Sequence, residues 1–123
     1  MGLLSAVSFL NLDRDNRRVV PSRVAPVEIH VMGVGSLDVL NARNVSQTGI
    51  GVYVHHGFAG CDLDEEVELV ITLPGERSFL ARGVIKHQTD GGNEGRHFGV
   101  HFTEVTRQHR ALIRDYVNAR LAD

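Results

Sequence analysis

Two polar clusters in this 123-residue chain contain the side chains best suited to bind a charged small molecule. The first is a group of arginines that precedes the first predicted strand and consists of Arg14, Arg17, Arg18 and Arg23. Guanidinium groups bind phosphate or the O6/N7 edge of guanine through paired hydrogen bonds, and they also stack on purine rings. The arginine cluster therefore predicts a site for an anionic or purine-containing ligand.

The second cluster is the sequence Asn-Val-Ser-Gln-Thr-Gly at residues 44–49. Asn44 offers both donors and acceptors, Ser46 offers a hydroxyl, and Gly49 can adopt a positive φ that lets a ligand approach the backbone. Each cluster alone also has a structural interpretation, because such turns satisfy their own backbone groups and surface arginines are usually solvated. Their positions, just before the first predicted strand and just after the second, favour one shared site that suits a guanine nucleotide.

Charge is distributed unevenly along the chain, although the formal net charge is only −2. Residues 14–23 contain four arginines and one aspartate, a net charge of +3, whereas residues 62–68 contain five acidic side chains and no base, a net charge of −5. The acidic run lacks the alternating spacing of a calcium loop. An anionic ligand is expected at the arginines, and DNA binding is not expected, because the protein has no overall basic character.

Motifs for catalysis or for a cofactor are not found in the sequence. Ser46 does not lie in a GxSxG turn, and the glycines at 33, 35, 49 and 51 form neither GxGxxG nor a phosphate loop with its lysine. The histidine pairs 55–56 and 97/101 could suggest a metal, but His97 and His101 fall opposite the apolar face of their strand and are expected in solvent. No enzymatic activity, metal or cofactor is predicted.

The ends of the chain and its cysteine usage predict a cytoplasmic protein. Cys61 is the single cysteine, so it has no partner for an internal disulfide. Residues 1–12 are mostly apolar, but this run is too short to cross a bilayer, and its arginines follow it. Residues 1–16 are interpreted as an N-terminal extension, and residues 17–123 as one domain without membrane insertion.

Six segments show the pattern of short β-strands separated by polar or glycine-containing turns at 33–36, 46–49, 73–76 and 91–95. Closing such strands into a barrel removes the exposed edges of a small open sheet. The sequence therefore predicts an all-β fold, a six-stranded antiparallel barrel. The predicted strands cover residues 24–31, 37–45, 50–54, 66–73, 78–88 and 97–102.

After Thr103 the apolar period changes to that of a helix. The apolar stripe consists of Val105, Leu112, Ile113, Tyr116, Val117 and Leu121. A C-terminal amphipathic α-helix should therefore pack across one end of the barrel.

The sequence resembles the PilZ family from about Arg17 to Val117, and three motifs carry the resemblance. Residues 17–24, Arg-Arg-Val-Val-Pro-Ser-Arg-Val, look like the family's arginine arm. Residues 44–49 match its (D/N)xSxxG motif, and residues 99–102, Gly-Val-His-Phe, look like its GVxF strand. The turn Leu73-Pro74-Gly75 is also typical of the family.

The resemblance implies a receptor for cyclic di-GMP that relays a bacterial second-messenger signal to a partner protein. It implies that arm arginines clamp the ligand while Asn44, Ser46 and Gly49 contact it from the barrel. The family arm has the spacing RxxxR, but Arg18 and Arg23 are separated by four residues. Arg23 keeps the usual distance to the first strand, so Arg18 takes the role of first arginine, with Arg17 in reserve.

Two alternatives remain open at this point. Some members of the fold lack the ligand-binding arginines and act as nucleotide-independent protein interaction modules. A barrel for single-stranded nucleic acid is the weaker alternative, because aromatic stacking platforms are few.

Residues 13–22, which include most of the arginine arm, are expected to be mobile until ligand binds, because they contain little apolar material to bury.

Overall fold

The computed structural model describes residues 17–32, 39–54, 62–89 and 96–123. Several sequence predictions concern residues outside these ranges. They are the N-terminal extension 1–16 with Arg14, the turns at 33–36 and 91–95, the pair His55-His56, and Cys61.

Six antiparallel strands form a closed barrel in the order β1-β2-β3-β6-β5-β4, and one helix follows them. This arrangement confirms the predicted all-β barrel with its C-terminal helix. The strands are β1 Glu28–Val31, β2 Leu40–Val45, β3 Gly49–Tyr53, β4 Glu66–Thr72, β5 Phe79–Thr89 and β6 His97–Glu104, and the helix is α1 Arg107–Ala122.

The core lies inside the barrel and under the helix. Alternating residues supply it, as in β4, where Val67, Leu69 and Ile71 are buried. Because successive strand side chains point to opposite faces, this alternation places the apolar half of each strand inside the barrel. The largest fully buried side chains are Phe98, Ile29, Ile50, Leu69, Ile71, Leu73, Ile85 and Ile113.

The first strand begins four residues later than predicted. The chain turns at Ser22–Ala25, where the Ala25 amide donates to the Ser22 carbonyl at 3.2 Å, and Val24 in this turn is 93% exposed. Pro26 has no amide hydrogen with which to extend a ladder. Strand β6 continues to Glu104, two residues past its predicted end.

The helix is capped by Thr106, whose hydroxyl accepts a hydrogen bond from the His109 amide at 3.2 Å. Ile113 and Val117 are its buried residues, as the predicted stripe requires. The stripe was wrong at Leu121, which is 43% exposed because it lies in the last turn. No helix within the described ranges is long and apolar enough to cross a membrane.

One histidine is placed differently from the prediction. His97 does lie on the outer side of β6, opposite Phe98, but it is 5% exposed rather than solvated. The rings of Tyr53 and His87 each approach it edge-on, with centroids 6.3 Å away. His101, four residues further along β6, is exposed as predicted.

Candidate functional site

The arginine arm, residues 17–24, is attached to the barrel through Val19. Val19 is 6% exposed, and it exchanges two backbone hydrogen bonds with Val45 of β2, at 2.8 and 2.9 Å. The expectation that this segment has little apolar material to bury was therefore wrong for the described part. A buried valine between the arginines fixes the arm beside the last residue of β2.

This attachment brings the two polar clusters of the sequence together. Arg18 Nη1 donates a hydrogen bond of 2.6 Å to Asn44 Oδ1. Because the Val19–Val45 bridge is antiparallel, Arg18 and Asn44 lie diagonally across it on the same face, within reach of a long arginine side chain. The first arginine of the arm and the first residue of the (D/N)xSxxG motif form one site.

The other two predicted arginines lie on the surface of the arm. Arg17 is exposed next to Arg18, and Arg23 is exposed in the turn between Ser22 and Ala25. The structure brings neither guanidinium into a hydrogen bond with a described residue. Both cations therefore face solvent on the arm that carries Arg18.

Ser46 closes the turn at residues 46–49, here called the elbow, which joins the end of β2 with Asn44 to β3. It is 0% exposed, and its hydroxyl accepts from the amides of Thr48 at 3.2 Å and Gly49 at 3.0 Å while lying 3.2 Å from the Gly49 carbonyl. The elbow is also joined to β6, where the Phe102 amide donates to the Thr48 carbonyl at 2.8 Å. The hydroxyl is fully used inside the turn.

Gly49 is required for a different reason from the one predicted. Among the described glycines only Gly75 has a positive φ, so the positive φ expected for Gly49 was wrong. A Cβ on Gly49 would instead collide with the carbonyl oxygen of Val100 on β6. The glycine allows β3 and β6 to approach each other, which places the elbow against the barrel.

A row of paired residues crosses four strands next to Arg18. Asn44 of β2 pairs with Gly51 of β3, Gly51 pairs with Gly99 of β6, and Gly99 pairs with His87 of β5. Only the two end residues of the row, Asn44 and His87, have side chains, because the two middle residues are glycines. The Asn44 amide extends over Gly51 and the His87 ring extends over Gly99, since a Cβ on either glycine would collide with them.

His87 and Gly51 lie at this surface although no sequence motif marked them as part of a site. A signal was present, because glycine inside a strand often marks a place where another group approaches the backbone closely. Gly51 and Gly99 are both such glycines. Only the cross-strand register reveals that they lie side by side and that His87 borders them.

The electrostatic surroundings of His87 are positive. Its pKa is lowered from the ordinary value, first by partial desolvation and then by the charges of Arg18, His97 and Arg43. The exposed imidazole is thereby favoured in its neutral form. This row is the part of the surface where cationic groups from the arm and from β2 converge.

Two acidic residues beside the barrel wall are engaged in ion pairs. Glu68 contacts Arg82 at 2.8 Å, and Asp64 approaches Lys86 at 3.8 Å. Within residues 17–32, 39–54, 62–89 and 96–123, no three His, Cys, Asp or Glu side chains come together as a metal site would require.

Fold and site together define a class: a small closed β-barrel with a cationic N-terminal arm hydrogen-bonded to an outward-facing asparagine. The sequence matches the PilZ domain family over residues 12–119, and the chain therefore belongs to that family. No match is found among curated proteins.

Solved structures with the same fold include three informative neighbours. The Bacillus subtilis inhibitor of motility, MotI/DgrA, aligns with a TM-score of 0.68 and 22% identity over 87% of this chain and 51% of that one. The PilZ domain of Escherichia coli YcgR with c-di-GMP gives 0.67 and 12% identity, over 86% and 89% of the two chains. Borreliella burgdorferi PlzA in complex with c-di-GMP gives 0.54 and 15% identity, over 91% and 45%. This chain thus spans about half the length of the motility inhibitor and of PlzA.

Proposed function

We propose that this protein is a receptor for cyclic di-GMP, in which the Arg18–Asn44 pair forms the centre of the binding site. The observation that carries the proposal is their 2.6 Å hydrogen bond, which joins the arm to the (D/N)xSxxG motif of the PilZ barrel. Neighbouring structures of YcgR and PlzA contain c-di-GMP.

The ligand's chemistry fits the groups that surround this pair. Two phosphodiesters require cations, which Arg17, Arg18 and Arg23 supply, and the guanine edges accept paired hydrogen bonds from guanidinium groups. The Asn44 amide offers the donors and acceptors that remain. Ser46 and Gly49 belong to the site as positioning residues, since both act through the elbow.

Signal output through a cytoplasmic partner protein is part of the proposal, and no catalytic step is assigned to the chain. The arm exposes two apolar side chains, Val20 at 66% and Val24 at 93%. Both flank the arginines, so a bound ligand and a protein partner would meet at the same segment. This exposure also favours the second candidate function, a nucleotide-independent interaction module.

Calorimetric titration of the purified protein with cyclic di-GMP distinguishes the two functions. A receptor should bind at micromolar concentration or tighter, and Arg18→Ala should weaken that binding. Arg82→Ala serves as the control, because Arg82 is an exposed arginine paired with Glu68 on the barrel wall. Absence of binding by a folded wild-type protein would leave the interaction module as the function.

A further inference from the structure

The row that crosses β2, β3, β6 and β5 ends in a titratable side chain that the family motifs do not include. His87 lies at one end and Asn44 at the other, with Gly51 and Gly99 between them. The two glycines leave no side chain in the middle of the row. The exposed imidazole therefore borders the same outer surface of the barrel on which the Arg18–Asn44 pair lies.

The groups that face His87 come from each neighbouring element. Arg18 of the arm and Arg43 of β2 contribute positive charge, and His97 of β6 acts on His87 in the same direction. Tyr53 of β3 approaches the ring of His97, which in turn approaches the ring of His87. On the β4 side, Asp64 approaches Lys86, the residue before His87.

We propose that His87 is a further ligand contact, and that it takes up a proton when a phosphate of the cyclic dinucleotide binds between it and Arg18. This inference rests on the proposed receptor function. In the free protein the surrounding cations oppose protonation of the imidazole. An anionic phosphodiester reverses that field, because a negative charge close to an imidazole favours its charged form.

The consequence is an affinity for cyclic di-GMP that depends on pH in one direction. Burial and the arginines hold the pKa of His87 below its ordinary value of 6.5 in the free protein, and bound phosphate raises it. The affinity is therefore constant above the pKa of the complex and rises as the pH falls from that value towards the pKa of the free protein. Arginine stays charged throughout this range.

The test is a calorimetric titration with cyclic di-GMP at about pH 8 and about pH 5.5, the interval in which histidine titrates. Wild-type affinity should rise roughly three- to tenfold at the lower pH, the change produced by half to one unit of pKa shift. His87→Gln should bind more weakly at the lower pH and show no rise. His30→Gln is the matched control, because His30 lies on β1, which borders neither β5 nor β6 in the barrel.

The outcomes separate the inference from the receptor function. Binding that is equally tight at both pH values, with His87→Gln equal to wild type, overturns the role of His87 and leaves the receptor intact. A rise that persists in His87→Gln assigns the proton to another group and also overturns it. Absence of binding at either pH by folded protein removes the receptor function together with this inference. Melting temperatures at both pH values establish that each variant is folded.

Discussion

Arg120 in the last turn of α1 donates two hydrogen bonds to the carbonyl oxygen of Val20, from Nε at 3.1 Å and from Nη2 at 2.8 Å. The two residues are 100 positions apart in the chain. Val20 lies between Arg18 and Arg23, so the terminal helix holds the arm at the point that separates its two principal arginines. Movement of the helix and movement of the arm are therefore coupled.

Arg120→Ala should loosen the arm without unfolding the barrel. A hydrogen bond from a charged donor contributes about 1.5–3 kcal/mol, but partial exposure of Arg120 reduces this, so a loss of about 1 kcal/mol is expected. Hydrogen exchange at the Val19 and Val45 amides, which hold the arm, should accelerate several-fold. Arg114→Ala is the control, because Arg114 is ion-paired with its exposed neighbour Asp115 on the helix surface. Unchanged exchange in Arg120→Ala would show that Val19 alone anchors the arm.

The arm arginines should differ in their effect on ligand binding. Arg18→Ala and Arg23→Ala should each weaken cyclic di-GMP binding by about 1–3 kcal/mol, the range for a paired arginine–guanine contact. Melting temperatures should change little, because both side chains are exposed. Arg17→Ala should cost less, since Arg17 is not the arginine that contacts Asn44. Full affinity in Arg23→Ala, with a large loss in Arg14→Ala, would mean that Arg14 and Arg18, which also have the RxxxR spacing, form the clamp.

Asn44→Ala and Ser46→Ala should separate binding from stability. Asn44 is partly exposed and bonds to Arg18, so its loss should reduce affinity with little change in melting temperature. Ser46→Ala leaves the buried Gly49 amide without its hydroxyl partner, and should lower the free energy of unfolding by about 1–3 kcal/mol. Chemical denaturation and titration of both variants measure the difference. An unaltered Ser46→Ala stability would contradict the role of the hydroxyl in the elbow.

Two glycines should respond differently to the smallest side chain. Gly49→Ala forces a methyl group against the Val100 carbonyl, and overpacking of this kind costs about 1–3 kcal/mol or more. Gly75 has φ +76° and open space around it, so Gly75→Ala should cost only the roughly 1–2 kcal/mol of a left-handed alanine, and Gly75→Asn less. Thermal unfolding of the three variants tests this order. Gly49→Ala as stable as wild type would show that β3 and β6 can separate at little cost.

Stability of the free protein should also depend on His87. Its pKa in the folded state is below the value of 6.5 that applies when unfolded, so the unfolded chain binds more protons between these two values. The contribution of neutral His87 to the free energy of unfolding is therefore complete above pH 6.5, and it is lost as the pH falls from 6.5 towards the pKa of the folded protein. The decrease in unfolding free energy below pH 6.5 should be smaller in His87→Gln than in wild type. Parallel pH profiles of the two proteins would contradict this assignment.

Local patterns were sufficient to predict most of the fold. Strand alternation, as in Val67, Leu69 and Ile71, and the helical spacing of Ile113 and Val117 depend only on neighbouring residues, and the structure agrees with both. The start of β1 was misplaced because Val24 looks like a strand residue in sequence. Its position is decided by the turn at Ser22–Ala25 and by Pro26.

The site was predictable only where its parts are short motifs. Arg18 and Asn44 could each be named from their motifs, but their contact depends on Val19 pairing with Val45, 26 residues later. The burial of Ser46, the reason for Gly49 and the position of His87 all follow from how β3, β5 and β6 pair. Such register is a property of the closed barrel and has no local sequence signal.

The three defined positions of the (D/N)xSxxG motif have different physical roles. The serine and the glycine stabilise the barrel, because Ser46 closes the elbow and Gly49 admits the Val100 carbonyl. Asn44 is the position whose side chain remains available at the surface. A descendant that lost its ligand would retain the serine and glycine and drift first at the asparagine and at the arginine that contacts it. In a genome survey, the joint presence of Asn44 and Arg18 equivalents would therefore identify working receptors better than the complete motif does.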